Sequence, residues 1–155
     1  MEGSLLVALK AKAYTACQQF AHTRIRAIQE AMVSAQASAD EETKSSAGDK
    51  YETGRAMMQL ELEKLNSQLQ DALQLQQVIN QIPPEQHSPT CRLGSVVVTD
   101  QGIFYISISA GGLTIDEHKV FAISPQSPMG LCLLNQSAGH QFPFQGKSFT
   151  VQQVL

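Results

Sequence analysis

From Ser4 to about Ala37 the chain holds neither proline nor glycine, and its apolar positions recur every three or four residues. Tyr14, Cys17, Ala21, Ile25, Ile28, Met32 and Ala35 therefore share one face of a predicted helix. The stretch Ser38 to Asp49 is polar and rich in turn formers, and reads as a connecting turn carrying Asp40-Glu41-Glu42. Within it, Ser46-Ala47-Gly48-Asp49 has capping-box spacing, which predicts a second helix starting near residue 47. That helix shows the clearest period in the chain: Met58, Leu62, Leu65, Leu69, Ala72, Gln76 and Ile79 alternate steps of four and three. This is a heptad seam, and Tyr51 and Arg55 extend it toward the turn. Pro83-Pro84 ends it, because proline lacks the N–H and biases the preceding residue away from helix. Each helix carries one narrow apolar stripe against faces rich in Gln and charge, so the two satisfy each other. The expectation is an antiparallel coiled-coil hairpin over residues 1–82, roughly 50 Å long at 1.5 Å per residue, with an acidic tip near 38–50.

Residues 83–92 read as a linker. Beyond it the period falls to two. Ser95–Thr99 and Ile103–Ser109 are predicted strands joined by a turn at Asp100-Gln101-Gly102. Ala110-Gly111-Gly112 reads as a break in the sheet, Lys119–Ile123 as a third strand, and 126–135 as a short helix with Pro128 in its first turn. Residues 141–144 and 148–154 flank Gln145-Gly146-Lys147 as a closing hairpin. Residues 93–155 thus form a small β-rich domain and the fold class is α+β. Its core is marginal in size, with few aromatics to line a pocket.

Composition narrows the function. No run approaches eighteen apolar residues, and acidic Glu2 precedes the apolar patch near the N-terminus with no cleavage pattern after it; a cytoplasmic protein with no membrane partner is expected. Basic and acidic groups number 8 and 11 in residues 1–87 and 3 and 3 in residues 88–155, a net charge of −3. A chain that grips nucleic acid unaided usually carries a basic surplus, so the expected partner is a protein. Cys17, Cys91 and Cys132 are odd in number, widely spaced and without a CxxC pair; Cys17 and Cys132 fall in apolar surroundings and read as packing residues. His22, His87, His118 and His140 show no ligand spacing. A P-loop, a dinucleotide fingerprint and a GxSxG elbow are all missing, so independent catalysis is not expected.

The order of these parts resembles the GreA/GreB transcript-cleavage factors. The resemblance rests on Gly94 and Val96, a strand ending near Ile108, Ile123-Ser124-x-x-Ser127-Pro128, Leu133-Leu134, Gly139 and a terminal strand ending at Val154. In the first half it rests on Arg24 to Ala31, Tyr51 and the run Glu61 to Ala72. It implies an FKBP-like C-terminal domain docked on the rim of the RNA polymerase secondary channel, and a monomer whose hairpin reaches the catalytic centre. There, tip carboxylates help hold a second Mg²⁺, shared with the polymerase active site, and a water. The 3′ end of a backtracked RNA is then cut by the polymerase's own nuclease activity. One or two exposed carboxylates hold Mg²⁺ only as part of a site the polymerase half-builds, so no cofactor is expected on the isolated chain.

The resemblance nominates Asp40, Glu41, Glu42 and Asp49 as assisting carboxylates. It nominates Lys44, Lys50 and Arg55 as RNA-proximal cations, and Gln126, Ser127, Pro128 and Tyr51 as partner-binding positions. Each has a plainer reading. Asp40-Glu41-Glu42 reads equally as a solvated turn, Asp49 as a helix cap, the three cations as solvated helix-end charges, and Ser127-Pro128 as a helix start. The family tip carries an Asp and a Glu three apart, whereas here Thr43 stands three after Asp40, and the turn before Tyr51 is longer. Gln126 stands where an acidic residue commonly precedes the Ser-Pro pair. These departures leave two alternatives open: a channel-binding regulator or inhibitor that does not stimulate cleavage, and a coiled-coil adaptor unrelated to polymerase.

Overall fold

The computed structural model describes residues 1–45 and 49–155, with the side chains of all of these outside 42–52. The architecture is α+β: two long helices, then a six-stranded mixed sheet with one short helix. Helix α1 runs Gly3–Ser45 and α2 Asp49–Asn80. The chain packs as two compact units, one made of Met1–Phe20 with Gln77–Leu155, the other of Ala21–Gln76. The division falls inside both helices, so the sheet domain keeps the first turns of α1 and the last of α2 as its own elements.

The Ala21–Gln76 unit is a two-helix pair closed by the periodic stripes. Ile25, Ile28, Ala35, Leu65 and Ala72 are buried, and Met32, Leu62, Leu69 and Leu73 pack against them. Alanine at 35 and 72 brings the backbones close, while leucine fills the intervening layers. The seam predicted for α2 holds from Met58 to Ile79, with Met58 and Gln76 half-buried and Leu65, Ala72 and Ile79 buried. Arg55, expected to prolong it, is exposed. A guanidinium is too costly to desolvate without a partner, so the stripe gives way there to solvent. Tyr51 lies outside the described side chains.

The sheet order is β3-β4-β2-β1-β6-β5, with β1 Val96–Thr99, β2 Gly102–Ile106, β3 Gly111–Ile115, β4 His118–Ile123, β5 Gln141–Phe144 and β6 Lys147–Val154. All pairings are antiparallel except β2 with β4, which β3 separates in sequence. The two predicted hairpins are present. Thr99 Oγ1 accepts from Gln101 N (3.1 Å) and donates to Gly102 O (2.8 Å), clamping the first. Gln145 and Gly146 both take positive φ, the type I′ geometry whose twist matches two paired strands.

The Ala110-Gly111-Gly112 segment does not break the sheet. Gly111 and Gly112 open β3, in continuous register with β4 from Gly111↔Ala122 to Ile115↔His118. Glycine weakens a strand interior mainly through lost packing, and an exposed edge has little packing to lose. The linker is likewise tied down: Cys91 N donates to Gln136 O (2.7 Å), Asn135 N to Cys91 O (2.8 Å), and Cys91 is buried. Burial pushes its thiol pKa up to about 11.

Helix α3, Pro128–Leu133, covers one sheet face. Cys91, Val97, Phe104, Ile106, Met129, Leu133, Phe142, Phe149 and Val151 form the core there. Phe142 stacks on Phe149 at 5.4 Å between centroids, Phe144 meets Phe149 edge-on at 6.1 Å, and Phe104 lies 5.9 Å from Phe121. Most of the domain's aromatic rings thus fill core.

On the opposite face the same register aligns Val96, Tyr105 and Ala122, and the first turns of α1 lie against it: Cys17 Sγ sits 3.4 Å from Ser107 Oγ. Tyr105 is fully buried and its hydroxyl has no hydrogen-bond partner. Burial, reinforced by Cys17 and Tyr14 nearby, holds that phenol well above its ordinary pKa. An unpaired buried hydroxyl costs roughly 1–3 kcal/mol. Tyr105→Phe is therefore expected to raise stability in urea denaturation by about 1 kcal/mol; a loss of that size instead implies a water bound at the hydroxyl.

Candidate functional site: the acidic end of the helical pair and the Ser-Pro helix

The acidic segment was expected on a turn and is helical. α1 continues through Ala39, Asp40 and Glu41 to Ser45. Alanine and glutamate are good helix formers, and residues four apart support one another: Gln36 Nε2 donates to Asp40 Oδ1 at 3.2 Å. Asp40 and Glu41 are exposed. Successive residues of a helix are about 100° apart, so these two carboxylates point in different directions rather than forming one clamp. Glu42, Asp49, Lys44 and Lys50 lie outside the described side chains, as does the proposed capping box over 46–49. Arg55 is exposed on α2. Among the described residues no group of three or more His, Cys, Asp and Glu side chains lies close enough to hold a metal.

Three large apolar residues on the Ala21–Gln76 unit escaped the sequence reading. Val33, Met57 and Leu60 are 72%, 62% and 65% exposed, off the seam and open to a partner. Their signal was present: each falls outside the heptad positions that the seam uses.

Ser127 and Pro128 do start a helix. The Ser127 hydroxyl accepts from Gly130 N at 3.0 Å and donates to Ser124 O at 2.7 Å, and Pro128 takes the first helical position, where its missing N–H costs nothing. Gln126 and Pro128 are exposed, while Ser127 is half-buried. Ser127→Ala removes the cap and is expected to cost about 1 kcal/mol, read as a lower urea midpoint with unchanged slope. Beside this start, Leu131 is 65% exposed on α3, and Lys119 Nζ lies 5.2 Å from the exposed Phe121 ring. Leu131, Phe121 and Gln126 therefore offer solvent-facing surface on the helix, on β4 and in the loop between them.

Besides Cys91 and Tyr105, Lys10 and Cys17 are shifted within the sheet domain. Lys10 is buried and donates to Gln86 O at 2.5 Å; burial, then the positive charge of Arg92, lowers its pKa. Burial raises the Cys17 thiol, opposed by its hydrogen bond to Ser107. Cys17 is buried as expected and Cys132 is half-buried. None of these groups is joined to the acidic residues, so they belong to packing rather than to the candidate chemistry. No helix among the described residues is long and apolar enough to cross a membrane.

No protein-family model matches the chain, and no curated protein matches it. Among solved structures, one described as "Structure of the transcription factor Gfh1" is similar at 18% identity, covering 88% of this chain and 92% of that one, with a TM-score of 0.36. An overlap that loose carries no argument about function.

Proposed function

We infer that the protein is a transcription elongation factor that enters the RNA polymerase secondary channel and stimulates cleavage of backtracked RNA. The observation that carries this reading is the Ala21–Gln76 unit itself: two helices with a closed apolar seam, a polar exterior and exposed carboxylates in the last turns of α1. Such a pair is about 20 Å across and needs no other element to bury its stripes. The resemblance to the GreA/GreB factors, read from Arg24–Ala31, Glu61–Ala72 and the Ile123–Pro128 pattern, supports the same function. The residues alone do not make a Mg²⁺ site. Asp40 and Glu41 diverge on the helix, and an octahedral ion needs more oxygen ligands than they supply. Their role is to complete a site beside the RNA 3′ end, with the polymerase, a cytoplasmic enzyme, as catalyst and this chain as its monomeric, non-enzymatic partner.

A specific observation also favours a second reading, channel occupancy without cleavage. Asp40 lies within a helix rather than on a turn, and Thr43 stands where the family carries a second carboxylate three residues on. A backtracked polymerase complex with labelled RNA separates the two. Shortening of the RNA on adding the protein supports the first; blockage of an authentic cleavage factor without shortening supports the second; failure to bind polymerase removes both.

A further inference from the structure

The two edges of the sheet differ. β5 carries Pro143, which has no N–H and blunts its edge against further pairing. β3 carries no proline, no lysine and no irregularity against β4. Its sole partner is β4, and in an antiparallel strand alternate residues turn their N–H and C=O groups outward. Among the described backbone hydrogen bonds outside the ladders, none reaches residues 111–115. Gly111, Gly112 and Thr114 are exposed, and no atom lies within 4 Å of where a side chain at Gly111 would begin. The outer backbone of β3 is open.

That edge borders a groove of about 400 Å³. Thr114 and Ile115 form one wall, and Ala11, Thr15, Ala16 and Gln19 of α1 form the other. Short side chains at 11, 15 and 16 leave the width. Across the groove, Lys12 Nζ meets Asp116 Oδ2 at 2.8 Å, both about half exposed, so the two charges cancel.

We propose that the β3 edge and the facing wall of α1 form a docking site for an extended, uncharged segment of a partner protein, which adds to the sheet as a seventh strand. A row of free amides and carbonyls recognises backbone in the β conformation, and a groove beside it sorts alternate side chains. Here the groove takes small β-branched residues, and the neutralised Lys12–Asp116 pair offers no counter-charge to an acidic or basic segment. A second copy of this chain is the poorer occupant. Two five-residue edges fall far short of the roughly 1,200 Å² that a stable dimer buries.

The test is a titration of the ¹⁵N-labelled full-length protein with acetyl-Ser-Val-Thr-Val-Thr-Val-Ser-amide. Saturable amide shifts at residues 11–19 and 111–116 are expected by about 1 mM. Two further peptides, each N-methylated on one set of alternate amides, divide: one binds as before, and the other weakens at least about tenfold because its inward N–H groups are gone. Thr15→Trp, a filling change at an exposed position, weakens the parent peptide about as much while the circular dichroism spectrum stays unchanged. Shifts elsewhere, no saturable shifts, or equal binding by all three peptides overturns the proposal. So do concentration-dependent shifts at β3 without peptide, which place a second copy on the edge.

Discussion

Leu133→Ala is expected to destabilise the sheet domain by about 2–5 kcal/mol, whereas Leu131→Ala, two residues away on the same short helix, changes stability by less than about 0.5 kcal/mol. Leu133 is fully buried among Val97, Ile106, Phe142 and Val151, while Leu131 is 65% exposed. Truncating Leu133 removes three carbons, a methine and two methyls, from a packed core whose neighbours are aromatic rings and β-branched strand residues. Neither collapses readily into the space, so the cavity adds to the lost transfer free energy. The contrast also tests the orientation of α3. A helix rotated by about half a turn, with Leu131 inward, reverses the pair. Urea denaturation of both variants, followed by tyrosine fluorescence and far-ultraviolet dichroism, reads the difference directly. If Leu131 carries function instead, its replacement leaves the folding midpoint in place and weakens binding to polymerase.

The parts of this fold with a strong period were legible in the sequence. The α2 seam from Leu62 to Ala72 and the α1 stripe from Ile25 to Ala35 were readable because a narrow apolar stripe on a polar helix has one physical solution, a facing stripe. The strands around Val96–Thr99 and Phe104–Ile106, and the Gln145-Gly146 turn, were readable for a similar reason: short β-branched and aromatic runs and positive-φ residues constrain the chain locally. What misled was residue type read without its place in the sheet. Gly111-Gly112 signals a break on propensity grounds, yet an edge strand bonded on one side tolerates missing side chains. The polar run at Ser38–Ser45 signals a turn, yet its Ala, Glu and Lys residues support helix once α1 has already been nucleated. Cys91 in a proline-rich linker gave no sign of burial, because its partners at Asn135 and Gln136 are more than forty residues distant. Of the candidate site, the carboxylates were visible as letters, but their divergence on a helix was not.

The second large effect is on RNA cleavage. Replacing Asp40, Glu41, Glu42 and Asp49 together by alanine is expected to lower the cleavage stimulated in a backtracked complex by about 10²–10³-fold, the usual loss when charge stabilisation is removed from a reacting centre. Binding to polymerase, measured by competition, should change far less. Single substitutions then assign the role. Asp40 and Glu41 leave the α1 surface about 100° apart, so a metal approached from one side engages one of them. Asp40→Ala and Glu41→Ala are therefore expected to be unequal, one losing most of the activity and the other little. Asp40 also accepts from Gln36, so Gln36→Ala serves as a control: it removes the hydrogen bond that orients Asp40 while leaving its charge. If Asp40 acts, Gln36→Ala lowers the rate by a few-fold at most, consistent with a net hydrogen bond of about 1 kcal/mol. Equal, small losses from both single variants assign the role to Glu42 or Asp49. Full activity in the fourfold variant removes the carboxylates from the chemistry and leaves occupancy of the channel as the protein's action.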